Sequence, residues 1–225
     1  MKARSLIPAV VAVGLCLLLT PALAAAGAIK GKVTAEGSSK PISRVVVCAT
    51  PFGGSSSCAS TGSRGRYAIS GLAAGTYKVG FDAIAGGLNY VTEYYDNKPT
   101  FELAQKVTVK RNQTTSGIDA ALAVGGQITG TVTDEATAAP LQGIRVCGFV
   151  IGTDLESCAR TDGSGAYDVI GLPSGDSYKV EFSAAGSGLE YATEYYENAE
   201  SALEGTSVAV TAGAVTAGIN AALAP

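Results

Sequence analysis

The sequence predicts an all-β protein, with two tandem β-sandwich domains of the Greek-key type, each of about seven strands, after an N-terminal signal peptide. Three observations predict this architecture. A basic and then apolar segment opens the chain, short runs of alternating apolar and polar residues follow it, and residues 28–123 recur as residues 127–224. The 29 glycines, with frequent Thr, Val and Ser, are typical of strands joined by many turns.

The opening segment has the composition of a secretory signal peptide. Lys2 and Arg4 form a basic start, residues 6–19 are strongly apolar, and a small-x-small cleavage site ends at Ala24. We therefore expect residues 1–24 to be removed and the mature chain to be secreted. No later segment approaches eighteen consecutive apolar residues, so we expect no membrane insertion after cleavage.

The internal repeat indicates that one domain has been duplicated. Tyr77-Lys78-Val79 matches Tyr178-Lys179-Val180, and the segment at 29–34 matches the segment at 128–133. The predicted domains are residues 25–124 and residues 125–225. The linker near Gly125 has no spare residues, so we expect the domains to stand end to end with limited freedom.

Within each copy, short alternating runs bounded by Gly, Pro, Ser or Asp predict half-buried strands. A helical turn is predicted only at 100–104 and at its counterpart near Ser201. Because a single sheet would leave one apolar face in water, the strands are expected to form two packed sheets. In the first copy, the clearest strands are predicted at 44–50, 67–70, 76–82, 106–110 and 117–122.

Four cysteines remain after the signal peptide, two in each domain. Cys48 and Cys58 flank a predicted hairpin in the first copy, and Cys147 and Cys158 do so in the second. Their even number and their places on neighbouring strands predict one disulfide per domain. A metal or redox pair is disfavoured because the chain has no His and the cysteines lack CxxC spacing. We predict no metal site and no cofactor.

The charge of the mature chain argues against a nucleic acid as partner. Without Lys2 and Arg4, 14 basic and 19 acidic residues remain, a net charge of −5. We also expect no basic stripe on the surface, because Lys110-Arg111 is the only adjacent basic pair.

The residue types present favour a protein that is not an enzyme. With no His, a Ser-His-Asp or Cys-His nucleophile and an HExxH zinc site are excluded. A glycosidase that uses a pair of carboxylates would need no His, and Glu93 with Asp96, repeated as Glu194 and Glu197, is the only repeated acidic cluster. Residues three apart on an extended segment point to opposite faces, so we expect this pair not to bracket a sugar bond.

One stretch in each copy resembles the signature of carboxypeptidase regulatory-like domains. In the first copy the stretch is Thr61-Gly-Ser-Arg-Gly65-Arg-Tyr67-Ala-Ile69-Ser-Gly71-Leu72-Ala-Ala-Gly75-Thr-Tyr77-Lys-Val79, and residues 161–180 repeat it. Such domains are similar to transthyretin-like and Cna-B-like sandwiches of a carbohydrate-binding-like fold group. The resemblance implies a fold and no reaction. Some Cna-B-like domains join a Lys of the first strand to an Asp or Asn of the last, an arrangement that Lys30 or Lys32 with Asp119 would fit.

The segment at 87–97, repeated at 188–198, is the predicted ligand site. It places tyrosines, which stack on sugar rings, beside carboxylates and amides, which hydrogen-bond to hydroxyls. In the alternative interpretation, these tyrosines pack in the core or at a corner; Tyr94 and Tyr195 are expected on the exposed face. The candidate residues are Tyr90, Glu93, Tyr94, Tyr191, Glu194 and Tyr195.

These features predict a secreted, non-catalytic repeat protein that binds carbohydrate or another extracellular ligand. The expected partners are a polysaccharide, a cell-surface glycan or other surface proteins. A structural or adhesive spacer at the cell surface is the alternative, because disulfides and a short linker suit it equally well. An accessory module of a polysaccharide-degrading, amylase-type system is the third interpretation.

Overall fold

A computed structural model describes residues 26–225, and the predicted signal peptide lies outside the described residues. The predicted all-β fold of two sandwich domains is confirmed. The first domain contains β1 (Gly27–Ala35), β2 (Val46–Pro51), β3 (Ser57–Ser60), β4 (Arg66–Leu72), β5 (Gly75–Asp82), β6 (Glu93–Tyr94), β7 (Val107–Val109), β8 (Thr114–Thr115) and β9 (Ala120–Leu122).

The second domain repeats this order of strands. It contains β10 (Gly126–Asp134), β11 (Arg145–Phe149), β12 (Glu156–Arg160), β13 (Ala166–Leu172), β14 (Gly175–Ser183), β15 (Glu194–Tyr195), β16 (Val208–Val210), β17 (Val215–Thr216) and β18 (Ala221–Leu223). A 3₁₀ turn at Ile84–Gly86 is the only helical element of residues 26–225. At the predicted helical turn, Ala104 N–H donates to the Phe101 carbonyl over 3.2 Å, and the chain makes one turn without a helix. None of the helical structure in the described part of the chain could span a membrane.

Two sheets build each sandwich, one with three strand positions and one with four. In one sheet β1 lies between β4, which is antiparallel, and β8 and β9, which are both parallel to it. In the other sheet the order is β3, β2, β5, with β6 and β7 both along the far edge of β5. Nine strands therefore occupy seven positions in each domain, the number that the sequence predicts.

The core lies between the two sheets and follows the period-two pattern of the strands. Ile29 and Val33 of β1 face Val47 of β2 and Phe81 of β5, and all four side chains are fully buried. The Tyr67 ring meets the Phe81 ring edge-on at 6.1 Å, and its hydroxyl donates to the Ile118 carbonyl over 2.6 Å. The buried hydroxyl is thus paired, which removes the cost of burying it.

Both predicted disulfides are present. In the β2–β3 ladder Cys48 stands directly opposite Cys58, and in the β11–β12 ladder Cys147 stands opposite Cys158. Each bond links neighbouring strands, and the Cα atoms of its two cysteines are 4.1 Å apart. Each therefore pins the outermost strand of one sheet to the strand beside it.

Replacing Cys48 and Cys58 by Ala should lower the free energy of unfolding of the first domain. The bond closes a loop with a sequence separation of 10, for which chain entropy predicts about 3 kcal/mol. Equilibrium unfolding in urea measures the change. The paired variant Cys147→Ala/Cys158→Ala is the matched control, and it should weaken the second domain by a similar amount. Unchanged midpoints in both variants would show that the disulfides do not support the fold.

Candidate functional site

The two domains meet at a junction that is organised by Asn89. Its side-chain carbonyl accepts a hydrogen bond from Gly171 N–H over 2.8 Å, and its amide donates to the Gly125 carbonyl over 2.8 Å. The Asn89 main-chain carbonyl also accepts from Gly125 N–H over 3.1 Å. One residue thus connects the first domain, the linker and the second domain.

Two glycines allow the close approach at this junction. A Cβ atom at Gly125 would lie 2.6 Å from the Gly171 Cα, and a Cβ atom at Gly171 would lie 2.5 Å from the Ile84 side chain. Gly171 also has a φ of +75°, which favours glycine. A larger residue at either position would push the domains apart.

A cleft of about 330 Å³ opens beside this contact, and both domains line it. Tyr94 and Asp82 contribute from the first domain, and Asp154 and Glu156 from the second. No Lys or Arg of residues 26–225 lines it. The cleft therefore combines an aromatic ring and three carboxylates with an apolar lining, which is formed by Ile84, Val91, Pro99, Leu155 and Pro173.

Tyr94 and Tyr195 occupy equivalent places on the outer face of each domain but have different surroundings. The Tyr94 ring lies over Gly80, where a Cβ atom would be 3.0 Å from Cε1, and meets the Phe101 ring edge-on at 5.9 Å. Glu181 replaces Gly80 in the second domain and accepts a hydrogen bond from the Tyr195 hydroxyl over 3.2 Å. Both tyrosines are half-buried, and only Tyr94 lies at the junction.

Tyr90 and Tyr191 pack against the domain cores, as the alternative interpretation of the tyrosines describes. The Tyr191 hydroxyl donates to the Asp134 carboxylate over 2.8 Å, which raises the pKa of Tyr191. The six candidate residues are therefore not brought to one place. In each copy one tyrosine packs inward and the other faces outward.

Glu93 lies next to Tyr94 in β6 and lines a smaller pocket of about 290 Å³ between the domains, beside the cleft. It also lines a separate pocket, of about 340 Å³, with Lys32 and the carboxylates of Glu36, Asp96 and Asp119. Burial, and then the charge of Glu36, raise the pKa of Glu93 to about 7. The expectation that Glu93 and Asp96 point to opposite faces is wrong, because residues 95–97 form a turn that leads both to this pocket.

Glu194 repeats the surroundings of Glu93 in the second domain. Burial, and then the charge of Glu135, raise the pKa of Glu194. Its buried Oε1 has no hydrogen-bond partner among the described residues. Both copies therefore hold a carboxyl group that is easier to protonate than an exposed one.

A pair of equivalent lysines that sequence reasoning missed holds the loop after the tyrosine segment. Lys78 Nζ donates to the carbonyls of Phe101 and Glu102 over 2.6 and 2.7 Å, and lies 4.8 Å from the Phe101 ring centroid. Lys179 Nζ donates to the Gly205 carbonyl. The repeated Tyr-Lys-Val triplet was the available signal, but strand alternation alone suggests a solvent-exposed lysine.

The residue just before the last strand of each domain hydrogen-bonds to the first strand of that domain. The Asp119 carboxylate accepts a hydrogen bond from the Lys32 main-chain N–H over 2.7 Å. Asn220 makes the same contact to Thr131 N–H over 2.9 Å. Asp119 therefore has a structural partner in the backbone of β1, and the second domain keeps this contact without a lysine.

Comparison with known proteins identifies the family of both domains. The family model of the carboxypeptidase regulatory-like domain matches this sequence twice, at residues 28–123 and at residues 127–224. The chain belongs to the carboxypeptidase regulatory-like domain family. No curated protein sequence matches it. The two regulatory-like domains account for the duplicated cores, and the junction cleft lies between them.

Several solved structures are similar to this pair of regulatory-like domains. The TIE protein of Bacillus anthracis is 17% identical with a TM-score of 0.36, and the match covers 89% of this chain and 34% of that protein. The minor pilin GBS52 of Streptococcus agalactiae is 12% identical, with a TM-score of 0.36 and coverages of 88% and 95%. The shaft pilin SpaA of Lactobacillus rhamnosus GG is 11% identical, with a TM-score of 0.35 and coverages of 89% and 97%. This chain thus spans about a third of the length of the Bacillus anthracis protein.

The raised pKa of Glu93 predicts that stability falls with increasing pH. The folded protein holds this proton up to a pH of about 7, whereas an unfolded Glu releases it near 4.5. The contribution of Glu93 to the free energy of unfolding should therefore be fully present below pH 4.5 and decrease until about pH 7. Solvent screening of this half-buried group limits the loss to about 1 kcal/mol.

Glu93→Gln should remove most of this decrease, because its amide does not titrate. Urea unfolding at pH 5 and pH 8 measures the difference between the variant and the wild type. Glu102→Gln, a change at an exposed carboxylate, is the control and should leave the pH dependence as it is. A Glu93→Gln variant that loses stability with pH as the wild type does would contradict the assignment.

Proposed function

We propose that the protein is a non-catalytic extracellular binding module that holds two regulatory-like domains as one unit and binds carbohydrate at their junction. The observation that carries this proposal is the cleft of about 330 Å³ that both domains line, with Tyr94 beside three carboxylates. One cross-strand disulfide in each domain supports an oxidising, extracellular location. The absence of His from the whole sequence supports a role without catalysis.

The chemistry of the cleft suits a sugar. The Asp154 carboxylate, and the second carboxylate oxygens of Asp82 and Glu156, can accept hydrogen bonds from hydroxyl groups. Their first oxygens are paired with Ala85 N–H and Arg145. The volume is within the range of small-ligand sites. The Tyr94 ring and the apolar lining provide surface for the C–H faces of a pyranose. Because Asn89 fixes the junction, the site exists before the ligand binds, and little affinity is lost in ordering it.

Tyr94→Ala should weaken carbohydrate binding at least about fivefold, because an aromatic contact contributes about 1 kcal/mol or more. Depletion of the purified protein by starch, xylan, chitin and β-glucan measures binding. Tyr195→Ala is the matched control, since Tyr195 occupies the same place in the second domain but lies outside the cleft. Circular dichroism establishes that both variants are folded. No depletion of the wild type, or equal losses in both variants, would reject the proposed site.

A second candidate function is a spacer that sets a fixed distance between two extracellular partners. The three hydrogen bonds between Asn89 and the two glycines favour it, because a mobile linker would not be held in this way. The two functions are compatible, since a rigid junction serves both.

Asn89→Ala should loosen the junction, because it removes one side-chain hydrogen bond to the second domain and one to the linker. Spin labels on the two domains should then give a broader distribution of interdomain distances. Glu190→Ala, at the exposed equivalent position of the second domain, is the control and should leave the distribution narrow. A distribution that is already broad in the wild type would exclude a rigid unit.

A further inference from the structure

The two domains have opposite net charges although they are copies of one fold. Residues 28–123 contain 11 basic and 6 acidic residues, a net charge of +5. Residues 127–224 contain 3 basic and 13 acidic residues, a net charge of −10. Since both domains keep the same core, folding does not require this difference, and we expect it to affect what each domain binds.

Three of the cations of the first domain come together in a groove on the outer face of the β4–β1 ladder. Lys30 and Lys32 are two residues apart on β1, so their side chains emerge on the same face about 7 Å apart. Arg66 of β4 stands directly opposite Lys32 in the ladder. The groove has a volume of about 450 Å³, and Asp119 lines it beside the three cations.

The expectation of no basic stripe is therefore wrong for this face. The expectation was based only on cations that are adjacent in the sequence. Strand alternation and strand pairing bring together cations that are far apart in the sequence, such as Lys30 and Arg66, which are 36 positions apart. Strand geometry produces a basic surface without a run of basic residues.

The charges of Lys30 and Arg66 are available to a ligand in this groove, whereas Lys32 and Asp119 also line the acidic pocket of Glu93. Lys30 and Arg66 are exposed and Lys32 is half-buried. Within residues 26–225, the salt bridges are those of Arg145 in the other domain, so none involves these three cations. Asp119 is the carboxylate in the lining, and its Oδ1 is bonded to the Lys32 main-chain N–H. The lining thus keeps a net charge of two positive units.

The second domain lacks this feature at the equivalent positions. Thr129, Thr131 and Ala166 replace the three cations, with Thr131 opposite Ala166 in the β10–β13 ladder. Asp168 stands opposite Thr129, where the first domain has Ala68 opposite Lys30. Because the same ladder forms without the cations, they are not needed to build it.

We propose that the basic groove of the first domain binds an anionic polysaccharide. An extended chain lying along β1 brings successive carboxylate or sulfate groups to Lys30 and Lys32, and the Arg66 guanidinium offers a bidentate contact. This site goes beyond the proposed function, because it lies outside the junction cleft and attracts ligands by charge. A second copy's acidic domain fits less well, since a stable protein interface buries about 800 Å² on each side, far more than a narrow groove within one sheet offers.

The full-length purified protein tests this proposal with polygalacturonate, dextran sulfate and neutral dextran as probes in titration calorimetry. The wild type should bind the two polyanions, and more weakly as NaCl is raised. Any binding of neutral dextran, which would belong to the junction cleft, should not depend on salt in this way. Lys30→Thr/Lys32→Thr/Arg66→Ala, which installs the residues of the second domain, should lower the affinity for polygalacturonate at least about tenfold. Tyr94→Ala should leave this binding unchanged, which separates it from the junction cleft.

Two further variants test whether the three cations are sufficient for binding and whether net charge alone explains it. Thr129→Lys/Thr131→Lys/Ala166→Arg, added to the triple variant, should restore binding on the second domain. In the control, three exposed cations of the first domain outside the groove are replaced, with the same change in net charge: Lys40→Thr/Arg64→Ala/Lys110→Thr. This control should bind polygalacturonate as the wild type does.

Three results would overturn the proposal. A wild type that binds neither polyanion has no such site. A control that loses as much affinity as the groove variant shows attraction by net charge alone. A salt-sensitive dimer in sedimentation velocity that disappears in the groove variant would assign the groove to the acidic domain of a second copy.

Discussion

The pairing of the first strand on both of its edges holds each domain together. β1 is bonded to β4 on one side and to β8 and β9 on the other, so the beginning and the end of the domain lie side by side. The buried Tyr67 hydroxyl and the Asp119 carboxylate reinforce the same contact between distant parts of the chain. Because the backbone groups of this central strand are paired, its outward side chains can change without loss of the fold.

The two copies have diverged at these outward positions and kept the inward ones. Tyr67 and Phe81 recur as Tyr167 and Phe182 with nearly the same ring geometry, at 6.1 and 6.0 Å. Outside the core, Lys32 becomes Thr131, Gly80 becomes Glu181 and Asn89 becomes Glu190. Duplication thus preserved one stable frame and provided two surfaces of opposite charge, one basic and one acidic. The junction then places these surfaces in a single unit, because Asn89 and two glycines bring the domains into contact.

Local patterns were sufficient to predict the fold and the disulfides. Alternation at 76–82 predicted β5, and the positions of Cys48 and Cys58 on either side of one hairpin predicted their pairing. The candidate site was predicted less completely. Treating this segment as extended placed Glu93 and Asp96 on opposite faces, but a turn at 95–97 brings both to one pocket. Tyr90 packs on the core, whereas Tyr94 lines the junction cleft. Side-chain direction outside regular strands depends on contacts that the local pattern does not contain.

By itself, the sequence determined that this chain is a duplicated, disulfide-bonded β-sandwich protein, because strand periodicity, internal repetition and cysteine parity are properties of short or recurring segments. Only the tertiary structure decided where its surfaces for ligands lie. Asn89 meets Gly171 across 82 positions of sequence, and Lys32 meets Arg66 across one particular ladder register. Such contacts are set by how sheets pair and how domains pack. Hydrophobic periodicity carries no information about which distant residues these two processes bring together.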